Sequence, residues 1–195
     1  MKRPLQVITS ERYDDLLAML VSDQVASKLA AKDPTLWGPD AESEASVRLA
    51  WVDLPRSSRP LLAEIDALRA QLWSEGVDRV VLCGMGGSSL APEVISRTYD
   101  VPLEILDSTN PHVIARALGG DLTRTVVVVS SKSGGTLETD SQRRALMSAF
   151  SEAGIDPASR VVAVTDPGSA LETLATDGGY RKVFSADPHV GGRYS

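Results

Sequence analysis

The chain has one cysteine, Cys83, two histidines and no excess of basic residues over its 195 positions. A single cysteine excludes an intrachain disulfide and points to a reducing, cytoplasmic compartment. His112 and His189 lie too far apart to read as a metal pair, and nothing completes a ligand set, so no metal is expected. Lys and Arg number 20 against 26 Asp and Glu, a net charge of −6. No basic stripe exists to neutralise nucleic-acid phosphates, which excludes a general nucleic-acid role. A small anion is not excluded, because local backbone dipoles decide that, not net charge. No apolar run approaches the roughly 18 residues of a membrane span, so no membrane partner is expected. Met1-Lys2-Arg3-Pro4 also lacks the apolar run of a signal peptide. What remains is ordinary for a globular chain with one sizeable core: 43% hydrophobic and 24% charged residues.

Two halves differ in texture, and two regions are expected: helical over 1–76, α/β over 77–195. A first helix is predicted to open at Ser10. Acidic residues fill its first turn, and Leu16, Leu17, Leu20 and Val21 recur at helical spacing. The pattern fades at Asp33-Pro34. A short helix is expected around 42–51. Ser58 is expected to cap a further helix with Leu61, Leu62, Ile65, Leu68 and Leu72 on one face, ended by Gly76.

From Arg79 the rhythm changes. Strands are predicted at 79–83, 103–106, 125–130, 160–165 and 181–185, with helical patterns at 90–99, 110–118, 138–153 and 168–176. The strongest strands (VVVV and VVAV among them) are continuous β-branched runs, which suit burial on both faces of a parallel sheet. The expected fold is therefore α/β: a doubly wound five-stranded parallel sheet flanked by helices. With a flavodoxin-like order, 2-1-3-4-5, the ligand-binding crevice falls between strands one and three. The two richest loops follow those strands.

The first loop is Gly84-Met85-Gly86-Gly87-Ser88-Ser89. Its glycines permit a tight turn and close backbone approach, the following helix start is partly positive, and Ser88 and Ser89 add hydroxyls. Ser89 stands where a dinucleotide fingerprint requires glycine, and no Gly-Lys-Ser/Thr closes a P-loop. The plainer reading is a capped strand-to-helix turn. The second loop, 130–139, crowds Ser131, Lys132, Ser133 and Thr136 around two glycines, a donor-rich setting for phosphate; a flexible polar turn is the alternative. After the fifth strand, Arg193 follows Gly191-Gly192, where its fixed charge could stabilise an oxyanion or simply meet solvent. Asp107 and Asp166 end strands on the ligand side and read as turn or cap residues. Glu138 reads as a first-turn helix acid or a site carboxylate. Cys83 reads as a small core residue.

Three segments carry a resemblance. Gly84-Met85-Gly86-Gly87-Ser88 resembles the G-I-G-G-S turn of phosphoglucose isomerases. Residues 131–139 resemble their S-K-T-x-T-T-x-E-T loop, and 190–195 their V-G-G-R-[FY]-S signature, all in the family's order. The resemblance implies a sugar isomerase (SIS) domain, a sugar-phosphate ligand and the interconversion of glucose 6-phosphate and fructose 6-phosphate, with no cofactor. By position, Ser88, Ser131, Ser133 and Thr136 would hold the phosphate, with Lys132 in the same loop. Gly86 and Gly87 would allow close approach. Arg193 would stabilise the enediolate, with Gly192 beside it. Ser89 and Glu138 are secondary candidates.

Two departures stand out. Ser133 replaces a threonine but keeps its hydroxyl, whereas Gly135 replaces a threonine and removes a donor. The family's glutamate base, ring-opening histidine and C-terminal lysine have no counterpart here, so this chain alone is expected to be inactive. It is expected to be a piece of a longer protein or the product of a shortened reading frame. Full-length relatives form dimers with shared active sites, which makes a homodimer the implied partner state and an exposed apolar patch an expectation. A sugar-phosphate sensor without chemistry and another sugar isomerase-domain enzyme, such as an amino-sugar phosphate isomerase, remain open alternatives.

Overall fold

The structure, a computed structural model, describes residues 11–190. Ser10, the expected first cap, and Gly192 and Arg193 lie outside the described residues. The chain divides into two compact units, 1–54 and 55–195.

In the first unit, α1 (Glu11–Ser22) and α2 (Val25–Ala30) replace the single helical run expected up to Asp33. Gln24 takes a left-handed conformation between them (φ 54°), which an unbroken helix cannot contain. Asp33 caps a short 3-10 turn, Pro34–Trp37, by accepting from the Thr35 amide at 2.9 Å. Helix α3 (Pro39–Arg48) starts three residues earlier than the pattern at 42–51 suggests, with proline in its first turn, where a missing N–H costs nothing. Another 3-10 turn, Leu49–Asp53, follows. Among the described residues of this unit, Leu49 is the one apolar side chain that is fully buried.

A short turn, α4 (Leu54–Ser57), begins at the last residue of the first unit, and α5 (Leu61–Ser74) follows in the second. Pro60, not Ser58, holds the N-cap position of α5; the Ser58 carbonyl accepts from Leu61 N at 3.0 Å instead. The strands are β1 (Arg79–Gly84), β2 (Glu104–Leu106), β3 (Thr125–Ser130), β4 (Val161–Thr165) and β5 (Lys182–Ser185). All pair parallel, in the order β2-β1-β3-β4-β5. Between them run α6 (Gly87–Thr98), α7 (Pro111–Leu118), α8 (Leu137–Glu152) and α9 (Ala170–Asp177).

Alternate residues of each strand serve opposite faces. Val81, Cys83, Val127, Val129, Val161 and Ala163 meet Ala117, Leu146, Phe150, Leu171 and Ala175 in the larger core, under α7, α8 and α9. Val126 and Val162 face the other way, toward Leu68 and Leu72 of α5. That second face is less fully covered. A cavity of about 440 Å³ lies between α5 and the sheet, and Leu90, Val94 and Ile95 of α6 are exposed. Arg79, at the start of β1, donates to Thr125 Oγ1 (2.9 Å) and the Ala117 carbonyl (2.8 Å) and pairs with Glu104. One side chain thereby ties β1, β2, β3 and α7.

Candidate functional site: two loops at the carboxyl edge of the sheet

Because β1 and β3 are neighbours, their carboxyl ends deliver the loops 84–89 and 130–136 side by side. Strand register carries this directly, for Gly84 is the Cα partner of Ser130. The crevice is where an order reversal between β1 and β3 requires it.

In the first loop, Gly86 adopts φ 60°, ψ −121°, a conformation that disfavours side chains, and α6 begins at Gly87. The helix therefore starts three residues before the expected position 90. Its earliest turn consumes several donors. Ser88 N reaches Met85 O at 3.3 Å, and Ser89 N and Leu90 N both reach Gly86 O, at 3.1 and 3.0 Å. Ser89 is buried, and its hydroxyl donates to Gly86 O at 3.1 Å, so it braces the turn and does not face the crevice. The Ser88 hydroxyl makes no hydrogen bond among the described residues.

The second loop is pinned to β4. Ser131 N donates to Val164 O (3.0 Å) and Asp166 N to Lys132 O (3.1 Å), extending the parallel ladder past the end of β3. Thr165 Oγ1 donates to Ser131 O at 2.7 Å. Gly134 N then closes a turn on Ser131 O (3.3 Å), and Thr136 takes the N-cap position of α8 without capping it through its side chain. Its hydroxyl lies 3.4 Å from Ser131 Oγ. Lys132 does not project freely. Its ammonium lies 2.7 Å from Asp166 Oδ2 and donates to the carbonyls of Asp187 (3.2 Å) and Pro188 (3.3 Å).

These groups border one open cavity of about 530 Å³. Gly87, Ser88, Ser131, Lys132, Ser133 and Thr136 line it, with Met85, Ser130 and Asp166. Gly86, the residue before Gly87, is not among the lining residues. Glu138 sits in the first turn of α8 and is not among the lining residues. Asp107 lines a different groove, beside β2. The sequence presents Asp166 as a turn residue; its position at the end of β4 beside a lysine-bearing loop is the available signal for a cavity role.

Chemically, the cavity presents hydroxyls and helix starts, a setting for an anion. Cys83, next to the carboxyl end of β1, is buried and its thiol is pushed up to about 12 by burial, so it stays protonated and inert. Among the described residues no cluster of three or more His, Cys, Asp or Glu could hold a metal. No helix of the described residues is long and apolar enough to cross a membrane.

Fold and crevice together define a doubly wound α/β domain with two hydroxyl- and glycine-rich loops side by side at its topological switch point. The family model described as phosphoglucose isomerase matches residues 66–195. The chain belongs to the phosphoglucose isomerase family. It is 37% identical over 124 residues to the glucose-6-phosphate isomerase of Cyanothece sp., covering 60% of this chain and 23% of that one. With the Thermosynechococcus vestitus enzyme of that name it shares 39% over 159 residues, covering 73% and 30% respectively. The chain thus spans about a quarter of the length of the curated relatives it matches. A crystal structure of a hypothetical protein from Thermus thermophilus superposes with a TM-score of 0.74 at 28% identity, over 93% of this chain and 43% of that one. A glucose-6-phosphate isomerase from Chlamydia trachomatis gives 0.59 at 26% identity, over 85% and 32%.

Proposed function

We propose that the cavity between the two loops holds the phosphate of a sugar phosphate, as the binding part of an enzyme that interconverts glucose 6-phosphate and fructose 6-phosphate. The observation that carries this reading is the convergence of Ser88, Ser131, Ser133 and Thr136 on one cavity from loops more than forty residues apart in sequence. Four hydroxyls can each donate to a phosphate oxygen, and a charged acceptor strengthens each bond. The family membership supports the choice of sugar. Arg193, two residues after Gly191, is assigned the oxyanion that develops when a proton moves between C1 and C2. A buried, reduced Cys83 fits a cytoplasmic setting.

Proton transfer also needs a positioned base. Among the described residues the only carboxylate lining the cavity is Asp166, and it is engaged by Lys132. This chain therefore binds substrate and does not turn it over. Calorimetric titration with glucose 6-phosphate tests the binding. Ser131→Ala and Thr136→Val should each weaken it by about tenfold, the worth of one hydrogen bond to a charged group. Unchanged affinity in both variants overturns the assignment. A coupled isomerase assay should read background; sustained turnover would overturn the inactivity.

A further inference from the structure

Lys132 sits in the loop that the phosphate is proposed to occupy, and a lysine there invites the role of direct phosphate ligand. Its geometry says otherwise. An ammonium carries three N–H groups and no more. Three protein acceptors surround it: Asp166 Oδ2 at 2.7 Å, Asp187 O at 3.2 Å and Pro188 O at 3.3 Å. No donor is left to point at a bound anion.

The same three bonds join three separate places: the loop after β3, the end of β4 and the turn after β5. That turn closes on itself through His189 N to Asp187 Oδ1 (2.9 Å) and Val190 N to Asp187 O (3.1 Å). It also leads in sequence into Gly191-Gly192-Arg193. Asp166 needs the lysine as much as the turn does. Its side chain is 18% exposed, and Oδ1 is buried with no hydrogen-bond partner among the described residues. Without a counter-charge this carboxylate would stand unmatched in the wall of an anion site and repel the anion.

We infer that Lys132 is a positioning residue. It acts on the anion site through Asp166, as counter-charge, and through the 187–190 turn, as tether, and it does not ligate the phosphate. The counter-charge part rests on the phosphate reading above; the tether part does not.

Inorganic phosphate is the probe, titrated into the full chain by calorimetry, with amide hydrogen exchange at His189 and Val190 read in the absence of ligand. Lys132→Met should weaken phosphate roughly tenfold or more, because it strands a carboxylate beside the anion. Adding Asp166→Asn to that variant should restore affinity to within about threefold of the parent chain, since both charges are then gone. A merely structural lysine would show no such rescue, and a ligating lysine would leave the double variant as weak as the single one. Either of those results overturns the counter-charge. Exchange at both amides should rise about tenfold in Lys132→Met and in the double variant; unchanged exchange overturns the tether. Where Lys132→Met fails to fold, Lys132→Gln reads the counter-charge, because it removes the charge, and Lys132→Ala reads the tether, because it removes every donor to the two carbonyls. Should the parent chain and Ser131→Ala both leave phosphate unbound, the phosphate reading fails and the counter-charge with it, while the exchange rates still decide the tether.

Discussion

Gly134 and Gly135 are adjacent in the sequence and opposite in their tolerance of a side chain. Gly134 has φ 70°, and a Cβ there would stand 2.5 Å from the backbone nitrogen of Leu171, the second residue of α9. That contact is with backbone and cannot swing away. Gly134→Ala should therefore lower stability by at least about 1–3 kcal/mol from the strained conformation alone, read as a fall in the urea midpoint. It should also weaken phosphate, because the loop between Ser133 and Thr136 must shift. At Gly135 a Cβ would meet only Ser133 Oγ, at 3.9 Å. Gly135→Thr, which restores the residue type found in the resembling loops, should leave the urea midpoint within about 0.5 kcal/mol of the parent. It should leave phosphate affinity equal or tighter. The pair of glycines is legible as a loop in the sequence; which of them is indispensable is not, because the obstructing atom belongs to a helix more than thirty residues further on.

Helices and strands meet at charged joints as well as at apolar ones. Arg181, just before β5, donates to both carboxylate oxygens of Glu75 at the end of α5, at 2.7 and 2.5 Å. Those hydrogen bonds hold the Glu75 carboxyl below its ordinary value of 4.5, against an opposing contribution from burial. The folded state therefore binds this proton less readily than the unfolded chain. The joint's contribution is fully present above about pH 4.5 and is lost as pH falls through the lower, folded value. Glu75→Gln should flatten the decline of melting temperature between pH 5 and 3, a range bracketing that value. An equally steep decline in the variant would show that the pair adds nothing. The strands themselves are readable as elements because continuous β-branched runs have few other uses. Their ends are not. The pattern puts position 181 in β5, but the Arg181 amide bonds to the carbonyls of Ala158 and Val161, and its side chain reaches α5. The Ser58 cap fails in a similar way: a proline two residues on already sits at the helix start.

The two compact units differ in how much they bury. Residues 55–195 contain the five-stranded sheet and both apolar clusters, with Phe150, Leu106 and Leu146 among the largest fully buried side chains. The described part of the first unit buries Leu49 and leaves Leu16, Leu17, Met19 and Val21 exposed. A chain of residues 55–195 should accordingly fold cooperatively by itself, since a domain of this size carries its own core. Far-ultraviolet circular dichroism should show a single thermal transition, and phosphate affinity should stay within about threefold of the longer chain. A molten 55–195 fragment, or one that had lost the anion, would mean that the first unit completes the fold or the site.

Sequence alone determined the fold class, the parallel character of the strands, the donor-rich character of the two loops and membership of the phosphoglucose isomerase family. All of these depend on local chemistry: β-branched runs, glycines at strand ends, hydroxyls beside a helix start. Tertiary structure alone decided what those groups face. Ser88 and Ser131 share a cavity because β1 lies beside β3, Ser89 turns inward because α6 starts early, and Lys132 is claimed by Asp166, 34 residues away. Hydrogen bonds and charges act over a few ångströms in space, and only the folded sheet sets which residues come within that reach.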